Sequence, residues 1–179
     1  QERFGRDRLI VAAAGDLTDA KLARVMELAF GSLPEVAEGG PADLPAVSLP
    51  EQPLRLLASM PAPQSTIVFG GPGIRRIDPD WRAATVLMQI MGGGFGARLM
   101  EEVREKRGLC YSIYSFLSAM TDSGMMGIYA GSDGEQAGQV LEVAIDELKS
   151  VADHAGEEEV NRAKAQLRAS LLMSRESTS

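Results

Sequence analysis

Arg104 and Tyr111 stand seven residues apart on either side of Gly108, in the run Arg98-Leu99-Met100-Glu101-Glu102-Val103-Arg104-Glu105-Lys106-Arg107-Gly108-Leu109-Cys110-Tyr111. A guanidinium can hold peptide carbonyls, and a phenol can donate a hydrogen bond to the oxyanion of a tetrahedral intermediate. With a helix ending near Gly108 and a strand starting near Cys110, the two side chains share one helix–strand junction and can point to one site. The plainer reading is a surface arginine paired with Glu101 or Glu105 and a tyrosine packed at a sheet edge. Arg98 and Arg107 carry the same plain reading, and Tyr114 and Phe116 read as sheet packing. Just upstream lies the loop Gly92-Gly93-Gly94-Phe95-Gly96. A phosphate loop follows a strand and continues into Gly-Lys-Ser/Thr, whereas here a helix precedes and no such tripeptide follows. Two readings stay open for it: a helix-to-helix turn that needs glycine for positive φ, or a loop that lets a peptide backbone come close.

A hydrolytic zinc centre needs two histidines and a carboxylate plus an open position for water. The chain has one histidine, His154, beside Asp153 near a helix end, and neither a His-x-x-Glu-His motif nor its inverted form. No metal ligands are therefore assigned, and His154 reads as solvated or capping. The net charge of −7 argues against nucleic-acid binding, because Lys106, Arg107 and Arg104 alternate with glutamates instead of forming a patch. The lone Cys110 cannot close an internal disulfide; it reads as a buried thiol, and we expect a reducing, cytoplasmic setting. No apolar run approaches the roughly 20 residues of a membrane span. The opening at Gln1 and the polar end at Ser174–Ser179 suggest a piece of a longer chain.

The elements that must position these residues follow from periodicity and punctuation. Leu9 to Ala14 reads as a strand buried on both faces, then Thr18 caps a helix with Leu22, Val25, Met26 and Ala29 on its apolar stripe. Prolines and glycines from Gly31 to Pro53 mark a linker. Leu54–Met60 and Ser65–Gly70 read as strands. Asp78-Pro79-Asp80 opens a helix that carries Ala83, Val86, Leu87 and Ile90 and ends in the triple glycine, and a second helix spans about Ala97–Lys106 with Gly108 as its stop. Tyr111–Ala119 and Gly124–Ser132 form an antiparallel pair turned at Thr121-Asp122-Ser123. Helices over about Gly134–Asp153 and Glu157–Met173 close the chain. Paired strands followed by paired helices predict an α+β fold, a largely antiparallel sheet with helices packed on one face.

The words Gly93-Gly94-x-x-x-Arg98-Leu99-x-x-x-Val103-Arg104-Glu105-Lys106-Arg107-Gly108-Leu109-x-Tyr111-Ser112 resemble the second-half signature of the insulinase/pitrilysin-type (M16) zinc metallopeptidases, the processing-peptidase-like kind. Leu9–Asp16 and Ala29-Phe30-Gly31-Ser32-Leu33-Pro34 resemble the end of that family's first domain. The resemblance implies that residues 1–33 end a first domain, 34–53 link, and 54–179 form a partial second domain truncated at its C-terminus. It also implies a clamshell of two α+β halves around an unfolded peptide substrate. One half would supply zinc through His-x-x-Glu-His and a distant Glu. The other would supply Arg104 and Tyr111 as catalytic residues and the loop Gly92, Gly93, Gly94, Phe95 and Gly96 as substrate-binding. The expected function is the substrate-binding half of a zinc endopeptidase, inactive alone, with the zinc-bearing half as partner in the same chain or another subunit. The alternatives are a non-catalytic scaffold subunit of the same fold and a peptide-binding module.

Overall fold

The computed structural model describes residues 4–40 and 50–176, in two compact units, Gln1–Ala46 with Ser174–Ser179 and Val47–Met173. The linker prolines Pro41 and Pro45 lie outside the described residues. No helix among the described residues is long and apolar enough to cross a membrane.

In the first unit a 3-10 turn, Arg6–Arg8, is tied to the chain beyond the helix α1 (Asp19–Phe30): the Arg6 and Asp7 N–H groups donate to Pro34 O and Glu35 O at 2.9 and 3.0 Å. Thr18 Oγ1 accepts from the Lys21 N–H, the expected cap. Leu9–Ala14, expected as a strand, is not one: it has no ladder partner among the described residues, and Ile10 is 98% exposed. An apolar run becomes a doubly buried strand only where neighbours exist on both sides and both faces.

The second unit is built on a three-stranded antiparallel sheet of β1 (Ser65–Pro72), β2 (Ser112–Ala119) and β3 (Gly124–Ser132), ordered β1-β3-β2. β2 and β3 form the expected hairpin, with Tyr114 opposite Tyr129 and Ala119 opposite Gly124. The Met120 N–H closes the turn onto Ser123 O at 2.9 Å. β1 joins the other side of β3, with Val68 opposite Tyr129. Leu54–Met60, expected as a further strand, has no ladder partner among the described residues and is exposed throughout, with Leu54, Leu56, Leu57 and Met60 in solvent. Its composition suits a strand, but no strand among the described residues lies beside it to take it into a ladder.

Helices α2 (Trp81–Gly92), α3 (Ala137–His154) and α4 (Glu157–Glu176) accompany the sheet. The core is Ile90 and Met91 of α2, Leu99 and Val103 after the glycine loop, Ile113 and Ile128 from the sheet, Val140, Ala144 and Val151 of α3, and Ala163 of α4. This is the expected α+β layering. The opposite face of the sheet carries Val68, Tyr114 and Tyr129, the two rings stacked 4.8 Å apart and 17° from coplanar. The stripe of α3 is rotated from the expected one, with Val140 fully buried and serving the core in place of Leu141. On α4, Leu171 is 66% exposed and does not continue the stripe.

Candidate functional site

The glycine loop begins inside the fold. Gly92 is buried at the end of α2, where a Cβ would come within 2.3 Å of the Ser115 backbone N. This close approach of helix to strand is why the residue is glycine. Gly94 and Gly96 have φ of +145° and +77°, which turn the chain away from α2. Side chains from α2 and α4 hold the loop. Gln89 Nε2 donates to Gly93 O and to Gln166 Oε1, both at 3.0 Å, and Arg162 Nη2 donates to Gly96 O at 3.1 Å. Phe95 is left 82% exposed at the tip.

The segment after the loop, expected as an α-helix over Ala97–Lys106, is a π-helix over Met100–Glu105. Its register shows in the Lys106 N–H donating to Glu101 O at 2.9 Å, five residues back. Leu99 and Val103 both remain fully buried beneath it. Gly108 then takes φ +63° and its N–H donates to Arg104 O, so the predicted stop is a left-handed glycine cap.

The outward charges of this segment divide into bound and loosely held. Glu102 accepts from Lys106 and, at 2.6 Å, from Arg107 Nη1, and these partners, Arg107 first, hold its carboxyl below the usual carboxylate range. Arg98 is engaged in the fold, with Nε and Nη2 on Glu159 at 2.8 and 2.7 Å and Nη2 also on His154 O at 2.6 Å. Arg104 is the freer cation: half-exposed, its Nε 3.8 Å from Glu105 Oε1 and its Nη1 against Met100 Sδ at 3.4 Å.

Tyr111 immediately precedes β2 and is registered by its N–H on Gly131 O at 2.8 Å. Its ring is 55% exposed, and its hydroxyl donates to the Asp133 carboxylate, 3.1 Å from each oxygen. That carboxylate raises the phenol pKa, first through the hydrogen bond and then through its charge. Asp133 escaped sequence analysis because it lies 22 residues away, across the hairpin. Between the two candidates, Cys110 is a buried free thiol; burial pushes its pKa up, and Arg104 pulls part of the way back. Arg104 lies in the last turn of the π-helical segment and Tyr111 just ahead of β2, each held by its own partners, Glu105 and Met100 for the first and Asp133 for the second.

A zinc ion does not suit the residues present. His154, the chain's one histidine, has Nδ1 at 3.2 Å from Ser150 O, and Glu159 is committed to Arg98. No group of three or more His, Cys, Asp or Glu among the described residues is placed to hold a metal.

A zinc protease of Streptomyces coelicolor, itself uncharacterised, is 36% identical over 99% of this chain and 40% of its own length. The chain thus spans about two fifths of the curated relatives it matches. The crystal structure of a peptidase M16 inactive domain from Pseudomonas fluorescens matches with a TM-score of 0.64 and 33% identity over 88% of this chain and 38% of that one. A chain of complex III from Candida albicans shares the fold, with a TM-score of 0.70 at 22% identity over 89% of this chain and 39% of that one. The model of the peptidase M16 inactive domain matches residues 1–167, and the chain belongs to that family.

Proposed function

We propose that this chain is the substrate-binding half of a zinc-dependent metalloendopeptidase that cleaves unfolded peptides or presequences. Zinc and its His-x-x-Glu-His motif would come from a complementary half, in the same chain or another subunit. The relatives called zinc proteases and the family match support this reading.

Within it, Arg104 and Tyr111 act on the bound peptide. The Arg104 guanidinium, only loosely paired with Glu105, is free to hold substrate carbonyls. The observation that carries the proposal is the Tyr111 hydroxyl, exposed at the sheet end and hydrogen-bonded to the Asp133 carboxylate. A protonated phenol is a donor, and an oxyanion competes with Asp133 for that proton. Gly93 to Gly96, with the exposed Phe95, line the peptide path, while the buried Gly92 anchors the loop.

The test is hydrolysis of a fluorogenic peptide by this chain, alone and mixed with a His-x-x-Glu-His-bearing half, with and without a chelator. Activity only in the mixture and abolished by the chelator is expected. In that mixture Tyr111→Phe should lower turnover about 10²-fold with folding intact, the cost of removing one oxyanion donor, and Arg104→Ala should lower it through weaker hold on the substrate carbonyls; unchanged turnover in both sinks the assigned roles. The second reading is a non-catalytic scaffold subunit of this fold, favoured by the family model's description as an inactive domain and by the fold shared with a complex III chain. Absence of activity with a folded, zinc-loaded partner selects it.

A further inference from the structure

Between α2, β2 and α4 the second unit opens a groove of about 280 Å³ that shares only Gly93 with the residues given roles above. Its walls are apolar where Met88, Leu117, Ala119 and Leu167 meet. The polar side chains that reach it are already engaged. Ser115 Oγ donates to Met88 O at 2.6 Å, Thr85 Oγ1 donates to Trp81 O at 2.9 Å, and the Gln89 amide holds the glycine loop. The one charged group in the lining is Arg76. Its guanidinium carbon lies 3.4 Å from the Trp81 ring centroid, and among the described residues it has no carboxylate partner.

We propose that this groove binds a free carboxylate attached to an apolar residue, as at the C-terminus of a peptide. The volume falls just under the roughly 300–1,000 Å³ usual for small-molecule sites, which suits one residue and its terminal group. Cation–π stacking on Trp81 fixes the plane of the guanidinium and leaves its edge donors free, and a carboxylate takes two of them at once. The apolar walls then take the side chain, since burial there leaves no polar group of the groove unsatisfied. The inference is independent of the roles of Arg104 and Tyr111, so either can fail without the other.

The chain has one tryptophan, Trp81, at the mouth of the groove, so its fluorescence reports occupancy. N-acetyl-L-leucine should give a saturable change, and N-acetyl-L-leucinamide should bind at least about tenfold more weakly because it lacks the charge. Arg76→Gln, a surface change, should weaken the acid about tenfold and leave the amide unaffected. Ala119→Leu, which fills the groove, should abolish both in a protein whose circular dichroism is unchanged; if that variant does not fold, the Arg76→Gln comparison decides alone. Equal binding of acid and amide, indifference to Arg76→Gln, or no saturable binding overturns the proposal.

Discussion

Replacing Glu159 by Gln tests whether the Arg98 network is as strong as its geometry implies. Glu159 sits in the first turn of α4 and accepts two hydrogen bonds from Arg98, at 2.7 and 2.8 Å, and one from the Gly156 N–H at 3.0 Å. Arg98 first, then the Gly156 N–H and the Arg98 charge, hold the carboxyl at about 2, against an ordinary 4.5, while burial works in the opposite direction. At 1.36 kcal/mol per pH unit this difference corresponds to about 3 kcal/mol. With the Glu159 and Arg98 side chains 22% and 14% exposed, solvent screening reduces it to about 1–2 kcal/mol. Because the folded-state pKa is the lower one, the stabilisation is complete above about 4.5 and is lost as pH falls from there towards 2. Urea unfolding followed by Trp81 fluorescence should therefore show the variant about 1–2 kcal/mol less stable at pH 7, with the gap shrinking steadily below pH 4.5. A gap under about 0.3 kcal/mol at pH 7, or one that is the same at pH 7 and pH 3, refutes the reasoning.

Two more predictions concern the residues around the candidate site. Gly92→Ala should destabilise by about 1–3 kcal/mol, because a clash with the β2 backbone outweighs the roughly 1 kcal/mol that alanine ordinarily gains in a helix; an unchanged or raised urea midpoint contradicts the close packing. Cys110, buried and raised in pKa, should react with a thiol reagent at neutral pH far more slowly than in urea, and equal rates in both would mean the junction is open.

Much of the site could be read along the chain because it depends on neighbours. Gly108 at φ +63° and the loop glycines Gly94 and Gly96 mark places where an L side chain is strained, so composition alone pointed to them. The β2–β3 hairpin, the Thr18 cap and the helices around Trp81–Gly92 and Ala137–His154 likewise follow from local period and punctuation. The exposed runs Leu9–Ala14 and Leu54–Met60 have strand composition, yet a strand exists only with a ladder partner, and that is not a local property. The same holds for the π-helical segment, where α and π hydrogen bonds differ by one residue and the apolar spacing of Leu99 and Val103 serves either.

By itself the sequence determined the α+β layering, the glycine turns and the family resemblance. Only the tertiary structure decided that Asp133 holds the Tyr111 hydroxyl, that Glu159 engages Arg98 from 61 residues away, and that Gln89 meets Gln166 across 77 residues to hold the loop. Backbone preference and periodicity act between neighbours in sequence, whereas these partners are chosen by which faces the packed core leaves side by side.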